Sequence, residues 1–417
     1  MLKKFLSVLL VVTILFTLSS CGNKTGDTLQ TGNQATQSST QGAQSNTQGA
    51  QTEATTQQTP TIDPSKLDQA ALTNRLRIFS IENKVAGMTV AVTDGEKIIY
   101  NQGFGVDSVD NPDVLASADS VYRIASVSKT FTAIMVLRLY DEGVLDLDTP
   151  IKNYVPALKL SSPKAEETMT LRHLLTHTAG MPADDYMTAG SRLDSTMNAT
   201  ILDSVRKFNL SSMPGEGKYQ YSTWGYNLIG CVASVVTGKT LSQLIAEYVT
   251  QPLGMTATTF DYEVASNSQY PLSLPHVRTS NGHAVDQLLI NSAYNAGAGL
   301  YSNTADLCKL ARFILNGGVT DTGERLLKEE TFQQMVTRHQ ESAKDVAYYG
   351  FGVAIRKFGD RYIIGHNGTY YGHNYCCSFY IDEKTGCGVV TLMNSEATSA
   401  NLRLLVPQTI FGMLTNS

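Results

Sequence analysis

The chain has 417 residues, of which 42% are hydrophobic and 17% are charged, and its formal net charge is −5. This composition indicates one large or two closely joined globular units, because it supplies enough apolar surface for a sizeable core. Since the net charge is negative and no basic stripe or run occurs, nucleic acid is excluded as an expected partner.

The amino terminus has the features of an export signal. Lys3 and Lys4 form a basic start, and the apolar run from Phe5 to Leu18 is too short for a comfortable membrane span. The run ends in Leu-Ser-Ser-Cys21-Gly, which resembles a bacterial lipoprotein processing site. We therefore expect residues 1–21 to be a lipoprotein signal peptide with Cys21 lipidated, which anchors the protein at the extracytoplasmic face of the cell membrane. The alternative is an ordinary signal peptide with an incidental cysteine.

Residues 22–64 form a separate segment by composition. From Asn23 to about Thr61 the chain consists of Gln, Thr, Ser, Gly and Ala with hardly any large apolar residue. Such a segment cannot bury enough surface to offset the entropy of ordering, so we expect a disordered tether. The folded part, residues 65–417, would then hang from the membrane within reach of the cell wall.

The folded part begins with a helix followed by a hairpin. Apolar residues at helical spacing predict a helix over Pro64–Asn83. Two strand-like runs, Gly87–Thr93 and Lys97–Gly103, flank Asp94-Gly95. An Asp-Gly pair between two such runs is the most reliable short hairpin signal.

The segment Val121–Gly143 is typical of one buried helix, with Ser120 as its cap and a glycine at its end. Ser126 and Lys129 are three residues apart, so the helix places the hydroxyl and the ammonium on one face within hydrogen-bond reach. A lysine desolvated in an apolar helix face can take the hydroxyl proton and make the serine a nucleophile.

The alternative for this pair is a helix with one polar residue packed inward and a lysine whose charged end reaches solvent. Ser161 and Lys164 also fit Ser-x-x-Lys, but they lie in a Pro-containing loop without a buried helix to desolvate the amine.

The middle of the chain is mainly helical. Helices are predicted over Leu171–Thr178, over Trp224–Thr237, from the capping box Thr240-x-x-Gln243, and from Asn303-x-x-Asp306 to Gly317-Gly318. His173 and His177 are an i, i+4 pair that could suggest a metal, but no acidic or third ligand accompanies them. We expect core or loop-anchoring histidines and no metal site.

The last part of the chain predicts consecutive strands and a closing helix. The strands are expected over Tyr349–Lys357, Arg361–His366, Tyr375–Ile381 and Gly388–Met393, and an amphipathic helix from about Ala400. Five cysteines follow Cys21, namely Cys231, Cys308, Cys376, Cys377 and Cys387. If Ile381 pairs with Cys387, Cys377 lies on the order of 13 Å along the strand. That distance is too long for a disulfide, so none is expected in this hairpin.

These elements predict an α+β fold, with an antiparallel β-sheet flanked by helices and an inserted, mainly helical lobe. The sheet lobe would take residues from about 65–118 and 295–417, and the helical lobe about 119–294. A cleft between the two lobes is where a site is expected.

With these pieces in place, the chain resembles the serine β-lactamase and penicillin-binding protein superfamily. The resemblance lies in the branch with class C β-lactamases, D-alanyl-D-alanine carboxypeptidases and related esterases. The motifs that carry it are Tyr122-Arg-Ile-Ala-Ser126-Val-Ser-Lys129, Leu174-Leu-Thr-His-Thr-Ala-Gly-Met-Pro182, Pro214-Gly215, Tyr221-Ser222-Thr223 leading into Gly225–Gly230, Pro252-Leu-Gly-Met255, Ala296-Gly-Ala-Gly-Leu300 and Gly365-His-Asn-Gly368.

The resemblance implies a set of catalytic roles. Ser126 would be the acylated nucleophile and Lys129 its neighbouring base. Tyr221 would move the proton to the leaving group, which a phenol can do only if a nearby cation stabilises its phenolate. The alternative for Tyr221 is a core tyrosine. His366 would donate to a substrate carboxylate or carbonyl, although a strand histidine is more often simply hydrogen bonded.

The same resemblance implies substrate-binding residues. Asn367 and Gly368 complete the third motif, and Gly368 would leave room for a substrate backbone. The N–H groups of Ser126 and Thr369 would form the oxyanion hole. Thr223 stands where the family has Asn, and His366 stands where β-lactamases have Lys. Both changes weaken the expectation of efficient β-lactam hydrolysis.

The expected function is therefore a D-alanyl-D-alanine carboxypeptidase-like serine hydrolase that acts through an acyl-enzyme without cofactor. The alternatives are a carboxylic esterase or D-amino-acid amidase of the same family, a class C-like β-lactamase, and a non-catalytic cell-wall-binding lipoprotein. Expected partners are a peptidoglycan stem peptide or a small ester, amide or β-lactam substrate, and the membrane through the lipid anchor. We expect a monomer.

Overall fold

The structure is a computed structural model that describes residues 63–183, 194–286, 295–370, 374–395 and 402–415. The predicted signal peptide, Cys21 and nearly all of the predicted tether lie outside the described residues. Within the described residues, no single helix is long and apolar enough to cross a membrane, although one pair of helices bent by 90° fits such a span by length and composition.

The strands are β1 (Gly87–Thr93), β2 (Ile98–Gly105), β3 (Tyr122–Arg123), β4 (His276–Thr279), β5 (Gly282–Val285), β6 (Tyr301–Ser302), β7 (Gln340–Ala343), β8 (Ala347–Tyr349), β9 (Ala354–Phe358), β10 (Arg361–Thr369), β11 (Cys376–Asp382) and β12 (Cys387–Met393). The helices are α1 (Gln69–Glu82), α2 (Ser128–Asp141), α3 (Ile151–Tyr154), α4 (Pro163–Thr168), α5 (Leu171–Leu175), α6 (Asp194–Val205), α7 (Thr223–Thr237), α8 (Leu241–Ile245), α9 (Tyr262–Ser266), α10 (Asn295–Ala298), α11 (Thr304–Leu315), α12 (Glu329–Val336) and α13 (Leu402–Thr415).

An antiparallel sheet of eight strands is built from both ends of the folded part, as the sequence predicts. Its order is β2-β1-β12-β11-β10-β9-β8-β7, so the first strand pairs with the last. Helices cover both faces: α1 and α13 on one side, and α2 and α11 on the other. Because both faces are covered, β1, β11 and β12 are buried along their whole length.

The predicted helix over 121–143 is wrong in its first part. Tyr122 and Arg123 form a short strand paired with β6, and the chain then makes a 3-10 turn over Ala125–Val127 before α2 begins. Ser120 does not cap this helix, because its hydroxyl donates to the buried Asp107 carboxylate at 2.7 Å. The end of the helix is confirmed, since α2 stops just before the left-handed Gly143.

Other boundaries differ for identifiable reasons. The single strand expected over 349–357 is divided into β8 and β9 by a turn in which Gly350 N–H donates to the Val353 carbonyl at 2.9 Å. In the last hairpin Asp382, not Ile381, is opposite Cys387, because the loop is one residue shorter than expected. Cys377 is then opposite Leu392, and the five cysteines after position 230 are free thiols.

Several helix signals are confirmed. The Thr240 and Gln243 side chains form the expected reciprocal capping box of α8. Asn303 accepts from the Asp306 N–H at the start of α11, and Gly238 ends α7 in a left-handed conformation. Strands β4 and β5, which pair with each other, and β7 at the sheet edge were not predicted.

Candidate active site

The nucleophile candidate lies on a turn between the sheet and α2. Within residues 121–130, Ser126 is the partly exposed position and its neighbours are buried. Ala125, just before it, has a φ of 47°, in the left-handed region that an alanine rarely adopts. The Ser128 hydroxyl donates to the Ala125 carbonyl at 2.7 Å and helps to hold this turn. The turn therefore presents one hydroxyl to the outside of a packed layer.

Lys129 points from α2 toward that hydroxyl. Its side chain is fully buried, and Nζ lies 3.3 Å from Ser126 Oγ, 3.0 Å from Thr223 Oγ1 and 2.9 Å from the Gly297 carbonyl. Buried ammonium groups are costly unless their donors are satisfied. These three oxygens fix the direction of Nζ, so the predicted contact between the hydroxyl and the amine is present.

Two helices supply the oxygens that hold Lys129. Thr223 is the first residue of α7, whose start is capped by Ser222. Gly297 lies on α10, and its N–H donates to Asn227 Oδ1 at 3.1 Å. A side chain at position 297 would come within 2.5 Å of Thr223 Cγ2, so glycine permits this close approach. Thr223 thus serves as an acceptor for the lysine.

Aromatic rings form the wall beside the ammonium. Lys129 Nζ is 4.7 Å from the centroid of the Tyr221 ring, which favours a cation over the ring face. The His177 ring packs 4.4 Å from Tyr221, and the Ser222 N–H donates to His177 Nδ1 at 3.2 Å. Burial and the nearby Lys129 charge hold the pKa of His177 well below its ordinary value, so this imidazole is neutral.

His366 lies on β10, and its side chain is on the face of the sheet that meets α2 and Lys129. The residue is 3% exposed. Nε2 is 2.9 Å from the Tyr349 hydroxyl, and Nδ1 is 2.6 Å from the Asn367 carbonyl oxygen. Burial, and then the charge of Lys129, lower the pKa of His366 to about 3. A neutral ring that donates from Nδ1 to the carbonyl must accept at Nε2, so Tyr349 donates to it.

The end of β10 passes next to the nucleophile turn. A side chain at Gly368 would lie 2.3 Å from the Ile124 carbonyl oxygen and 3.0 Å from the Ser126 nitrogen. The Tyr370 N–H points toward the β11 side, where it donates to the Tyr375 carbonyl. Because the N–H groups of successive residues in an antiparallel ladder point in opposite directions, the Thr369 N–H points away from β11. The Ser126 and Thr369 N–H groups are thereby on adjoining backbones, as an oxyanion hole requires.

A model of the Beta-lactamase family matches residues 65–406 of this chain. The chain belongs to the beta-lactamase family. Members of this family are serine hydrolases, which agrees with the buried lysine beside a partly exposed serine. The α+β fold and the resemblance seen in the sequence are confirmed by this match and by the fold of solved relatives.

Two named relatives share part of the sequence. Protein flp of Staphylococcus aureus (strain MW2) is 27% identical over 315 residues, which is 74% of this chain and 60% of that protein. The chain thus spans well under two thirds of the length of flp. A protein of Escherichia coli (strain K12), whose name assigns it provisionally to the D-alanyl-D-alanine carboxypeptidases, is 28% identical over 299 residues, 64% of this chain and 67% of that protein.

Solved structures show the same fold. An octameric penicillin-binding protein homologue from Pyrococcus abyssi superposes with a TM-score of 0.72 at 24% identity, over 84% of this chain and 78% of that one. The D-amino acid amidase of Ochrobactrum anthropi SV3 gives a TM-score of 0.68 at 21% identity, over 83% and 99%. At these identities the comparison establishes the fold.

Not every residue of the third family motif reaches the site. Side chains alternate along a strand, so Asn367 lies on the opposite face of β10 from His366. There Asn367 Oδ1 accepts from the Arg356 guanidinium at 3.4 Å and from the Tyr380 hydroxyl at 3.3 Å. The structure does not bring the Asn367 side chain to Ser126, and its substrate-binding role stays a prediction. Thr369 is placed to act through its backbone.

Tyr349 and Asn227 are site residues that sequence reasoning missed. Tyr349 was assigned to a strand, and Asn227 lies inside a family motif without a role of its own. The pairing of His366 with Tyr349 depends on how β8 and β10 lie in the sheet, and a single sequence holds no signal for it. For Asn227, a polar residue in the middle of an apolar helix was an available signal.

The histidine pair expected to be structural has structural contacts. His173 Nδ1 is 3.1 Å from the Thr170 hydroxyl in the capping box of α5, and His177 anchors Ser222. His177 has a φ of 58°, which ends α5 earlier than predicted. In the part of the chain that the structure describes, no group of three His, Cys, Asp or Glu residues is arranged to hold a metal ion.

Proposed function

We propose that the protein is a D-alanyl-D-alanine carboxypeptidase-like hydrolase that forms an acyl-enzyme on Ser126. The observation that carries the proposal is the 3.3 Å contact between Lys129 Nζ and Ser126 Oγ inside a buried cluster of fixed oxygens. The Escherichia coli relative supports the substrate class by its name. Peptides that end in D-alanyl-D-alanine are therefore the substrates we would test first.

Acylation follows from the positions of the groups. The Lys129 and Tyr221 pair takes the Ser126 proton while Oγ attacks the carbonyl carbon, so the carbonyl oxygen becomes an oxyanion. The Ser126 and Thr369 N–H groups donate to that oxygen. When the tetrahedral intermediate collapses, the carbon–nitrogen bond breaks and a proton passes to the leaving amine, for which Tyr221 beside Lys129 is the proposed carrier.

Deacylation reverses the proton transfers with water as the nucleophile. Water loses a proton to the Lys129 and Tyr221 pair as it attacks the ester carbonyl, and the same pair returns a proton to Ser126 Oγ as the ester bond breaks. Because these steps use the chain's own side chains, the proposal needs no added group.

The chain contains a matched control for the nucleophile. Ser126→Ala should abolish covalent labelling by a fluorescent penicillin and by a fluorophosphonate, because the other hydroxyl that contacts Lys129, Thr223 Oγ1, is buried, whereas Ser126 is partly exposed. Ser161→Ala, in the exposed second Ser-x-x-Lys, should label like the wild type. Undiminished labelling of Ser126→Ala would mean that the nucleophile is wrong.

A second candidate is hydrolysis of carboxylic esters or D-amino-acid amides. It is favoured by His366, which is neutral where β-lactamases have a lysine, so the strand offers no fixed charge for a substrate carboxylate. Side-by-side turnover of a nitrophenyl ester, a D-Ala-D-Ala peptide and a chromogenic cephalosporin separates the candidates. Cephalosporin as the best substrate would refute both in favour of a β-lactamase. Wall binding without any hydrolysis would favour a non-catalytic lipoprotein.

We also propose that the protein is a monomer tethered to the extracytoplasmic face of the membrane by lipid on Cys21. The export signal and the Cys21 context support this location. Metabolic labelling with a palmitate analogue should tag the wild type and not Cys21→Ala, and the variant should leave the membrane fraction. Light scattering in detergent tests the monomer, since the Pyrococcus homologue is octameric.

A further inference from the structure

The short segment that carries Tyr221 is hydrogen bonded to His177 on both sides of the tyrosine. The Gln220 N–H donates to the His177 backbone carbonyl at 2.8 Å, and the Ser222 N–H donates to His177 Nδ1 at 3.2 Å. The residue between these two bonds is Tyr221. One histidine therefore fixes the backbone before and after the proposed proton carrier.

The His177 ring also packs against the phenol ring of Tyr221. The two ring centroids are 4.4 Å apart, and the ring planes are tilted by 45°. His177 is 2% exposed, and its ring lies 4.6 Å from the Tyr349 ring, so it cannot move away without disturbing packed neighbours. The imidazole thus restricts the Tyr221 side chain while Lys129 Nζ lies 4.7 Å from the same phenol ring.

The hydrogen bond from Ser222 determines which nitrogen of His177 carries the proton. A backbone N–H can only donate, so Nδ1 must be the unprotonated nitrogen of a neutral ring, with the proton on Nε2. Burial and the charge of Lys129 favour this neutral form, because they lower the pKa of His177 well below its ordinary value. The acceptor that holds the Ser222 peptide is therefore a permanent feature of the folded protein near neutral pH.

His177 has two features that cost stability. Its φ of 58° lies in the left-handed region that residues other than glycine rarely adopt, and its buried Nε2 has no hydrogen-bond partner among the described residues. Strained backbone of this kind concentrates at functional sites, where the surrounding structure holds it in place. With this conformation, the carbonyl and Nδ1 of one residue both face the segment 220–222.

We propose that His177 is a positioning residue for Tyr221 and that it thereby determines how well the protein cleaves substrates whose leaving group must receive a proton. The inference rests on the proposed function, in which Tyr221 carries that proton. An alkoxide or an amine needs the proton when its bond to the acyl carbon breaks, whereas a nitrophenolate leaves without it. A displaced Tyr221 should therefore slow the first kind of substrate more than the second.

Two esters of one acid separate this role from a merely structural one. The 4-nitrophenyl and methyl esters of N-acetyl-D-alanine give the same acyl-enzyme, so the ratio of their kcat/KM values reports on protonation of the leaving group. His177→Phe keeps a ring and removes the acceptor. It should raise the ratio of nitrophenyl to methyl ester about tenfold or more, because a small displacement of a catalytic group can cost about 10²-fold. An unchanged ratio, with both rates lowered equally, would overturn the proposal.

His177→Asn is the conservative variant that should restore the ratio. Asparagine tolerates the left-handed φ and brings an acceptor oxygen to the δ position, so the ratio should stay within about threefold of wild type. A ratio raised as much as in His177→Phe would show that the acceptor does not position Tyr221. If His177→Phe does not fold, His177→Gly takes its place, because glycine suits this φ and also lacks the acceptor, and the same rise is expected.

Tyr221→Phe tests the proton carrier itself. It should raise the ratio by about 10²- to 10⁴-fold. Adding His177→Phe to it should raise the ratio no further, because both changes act on one group, and additive effects would overturn the proposal. His173→Phe is the matched control, since His173 Nδ1 contacts the Thr170 hydroxyl and not the segment 220–222, and it should leave the ratio unchanged.

The same measurements distinguish failure of this inference from failure of the proposed function. A raised ratio in Tyr221→Phe together with a wild-type ratio in His177→Phe would overturn only the role of His177. An unchanged ratio in Tyr221→Phe, or a wild-type protein that hydrolyses neither ester, would refute the proposed proton carrier or the proposed function, and the role of His177 with it.

Discussion

Lys129 approaches the nucleophile turn from helix α2, and His366 approaches it from strand β10. We call these the helical side and the strand side, and their side chains are held in different ways. On the helical side, a fully buried amine is held by three oxygens, one of which belongs to Ser126. On the strand side, a buried imidazole is neutral and its ring nitrogens contact Tyr349 and the Asn367 carbonyl. We therefore expect proton transfer to take place on the helical side, at Lys129, and backbone hydrogen bonding to the substrate on the strand side.

Thr223 and His366, the two residues at which the chain departs from the β-lactamase pattern, differ in what they change. Thr223 is shorter than the family's Asn, yet it still accepts a hydrogen bond from Lys129. His366, which the resemblance aligns with the lysine of β-lactamases, is a neutral ring and carries no charge. The first change preserves the geometry around the nucleophile, and the second alters which substrates would be attracted to it.

The largest expected effect comes from removing the amine. Lys129→Met keeps the length and burial of the side chain but cannot take a proton, so the rate of fluorophosphonate labelling should fall by about 10²- to 10⁴-fold. The substitution also leaves the buried Gly297 carbonyl and the Thr223 hydroxyl without the Lys129 donor, so we expect a modest fall in melting temperature that is far too small to account for the loss of labelling. Lys164→Met is the matched control. If Lys129→Met were labelled at the wild-type rate, Lys129 would not be the base.

The second prediction concerns the neutral imidazole of the strand side. The folded-state pKa of His366 lies near 3 and the unfolded value near 6.5, so the unfolded chain binds a proton that the folded one does not. Stability contributed by this group is complete above pH 6.5 and is lost as pH falls toward 3. The free energy of unfolding in urea should drop by a few kcal/mol more in wild type than in His366→Gln between pH 7 and pH 4.

His177 and Asp107 also affect how the free energy of unfolding depends on pH. Both are present in wild type and in His366→Gln, so their contributions cancel in the difference between the two proteins. The pKa of His177 is also lowered by burial, so its contribution has the same sign. Burial raises the pKa of Asp107 to about 6, so its contribution falls as pH rises and opposes the histidines. Identical pH profiles of wild type and His366→Gln would contradict a neutral, buried imidazole.

The third prediction tests Thr223 as the support of the lysine. Thr223→Val has nearly the same shape but cannot accept the bond from Lys129 Nζ, and hydrogen bonds to charged groups are worth about 1.5–3 kcal/mol. The acylation rate should fall by roughly 10- to 100-fold. Thr223→Ser retains the hydroxyl and should stay close to wild type. If Val and Ser variants acylate at equal rates, the hydroxyl at position 223 has no part in placing the amine.

The smallest expected effect concerns Tyr349. Tyr349→Phe leaves His366 Nε2 buried without its donor, which should lower the free energy of unfolding by about 1–3 kcal/mol. Because the two ring nitrogens of His366 contact Tyr349 and the Asn367 carbonyl, and neither is hydrogen bonded to Ser126 Oγ within the described part of the chain, the acylation rate should change little. Tyr348→Phe, on the neighbouring and partly exposed side chain, should leave stability near wild type. A large loss of acylation with unchanged stability would show that His366 takes part in the reaction and does not have only a structural role.

Local signals account for what could be predicted from the sequence. The Ser126 and Lys129 spacing, the capping residues of α8 and α11 and the glycine ends of α2 and α7 depend on contacts within one turn of helix. Such contacts are set by neighbouring residues, so one sequence is enough to locate them.

The parts that could not be predicted depend on distant segments. Tyr122 and Arg123 became a strand because β6, far along the chain, pairs with them. Strand alternation places His366 and Asn367 on opposite faces of β10, and which of the two faces meets Ser126 depends on how β10 packs against the nucleophile turn. The hairpin register was wrong by one residue because loop length, and not strand composition, determines it.

The left-handed Ala125 has a consequence for any short copy of this region. Free in solution, a peptide covering residues 121–130 would rarely visit the conformation that turns the serine outward, since an alanine there disfavours it. The reactive geometry is therefore a property of the assembled protein, created when β10 and α2 close around the turn. Reagents selected against the linear segment should fail to recognise the native molecule, whereas reagents raised against the intact fold should lose their target on mild denaturation.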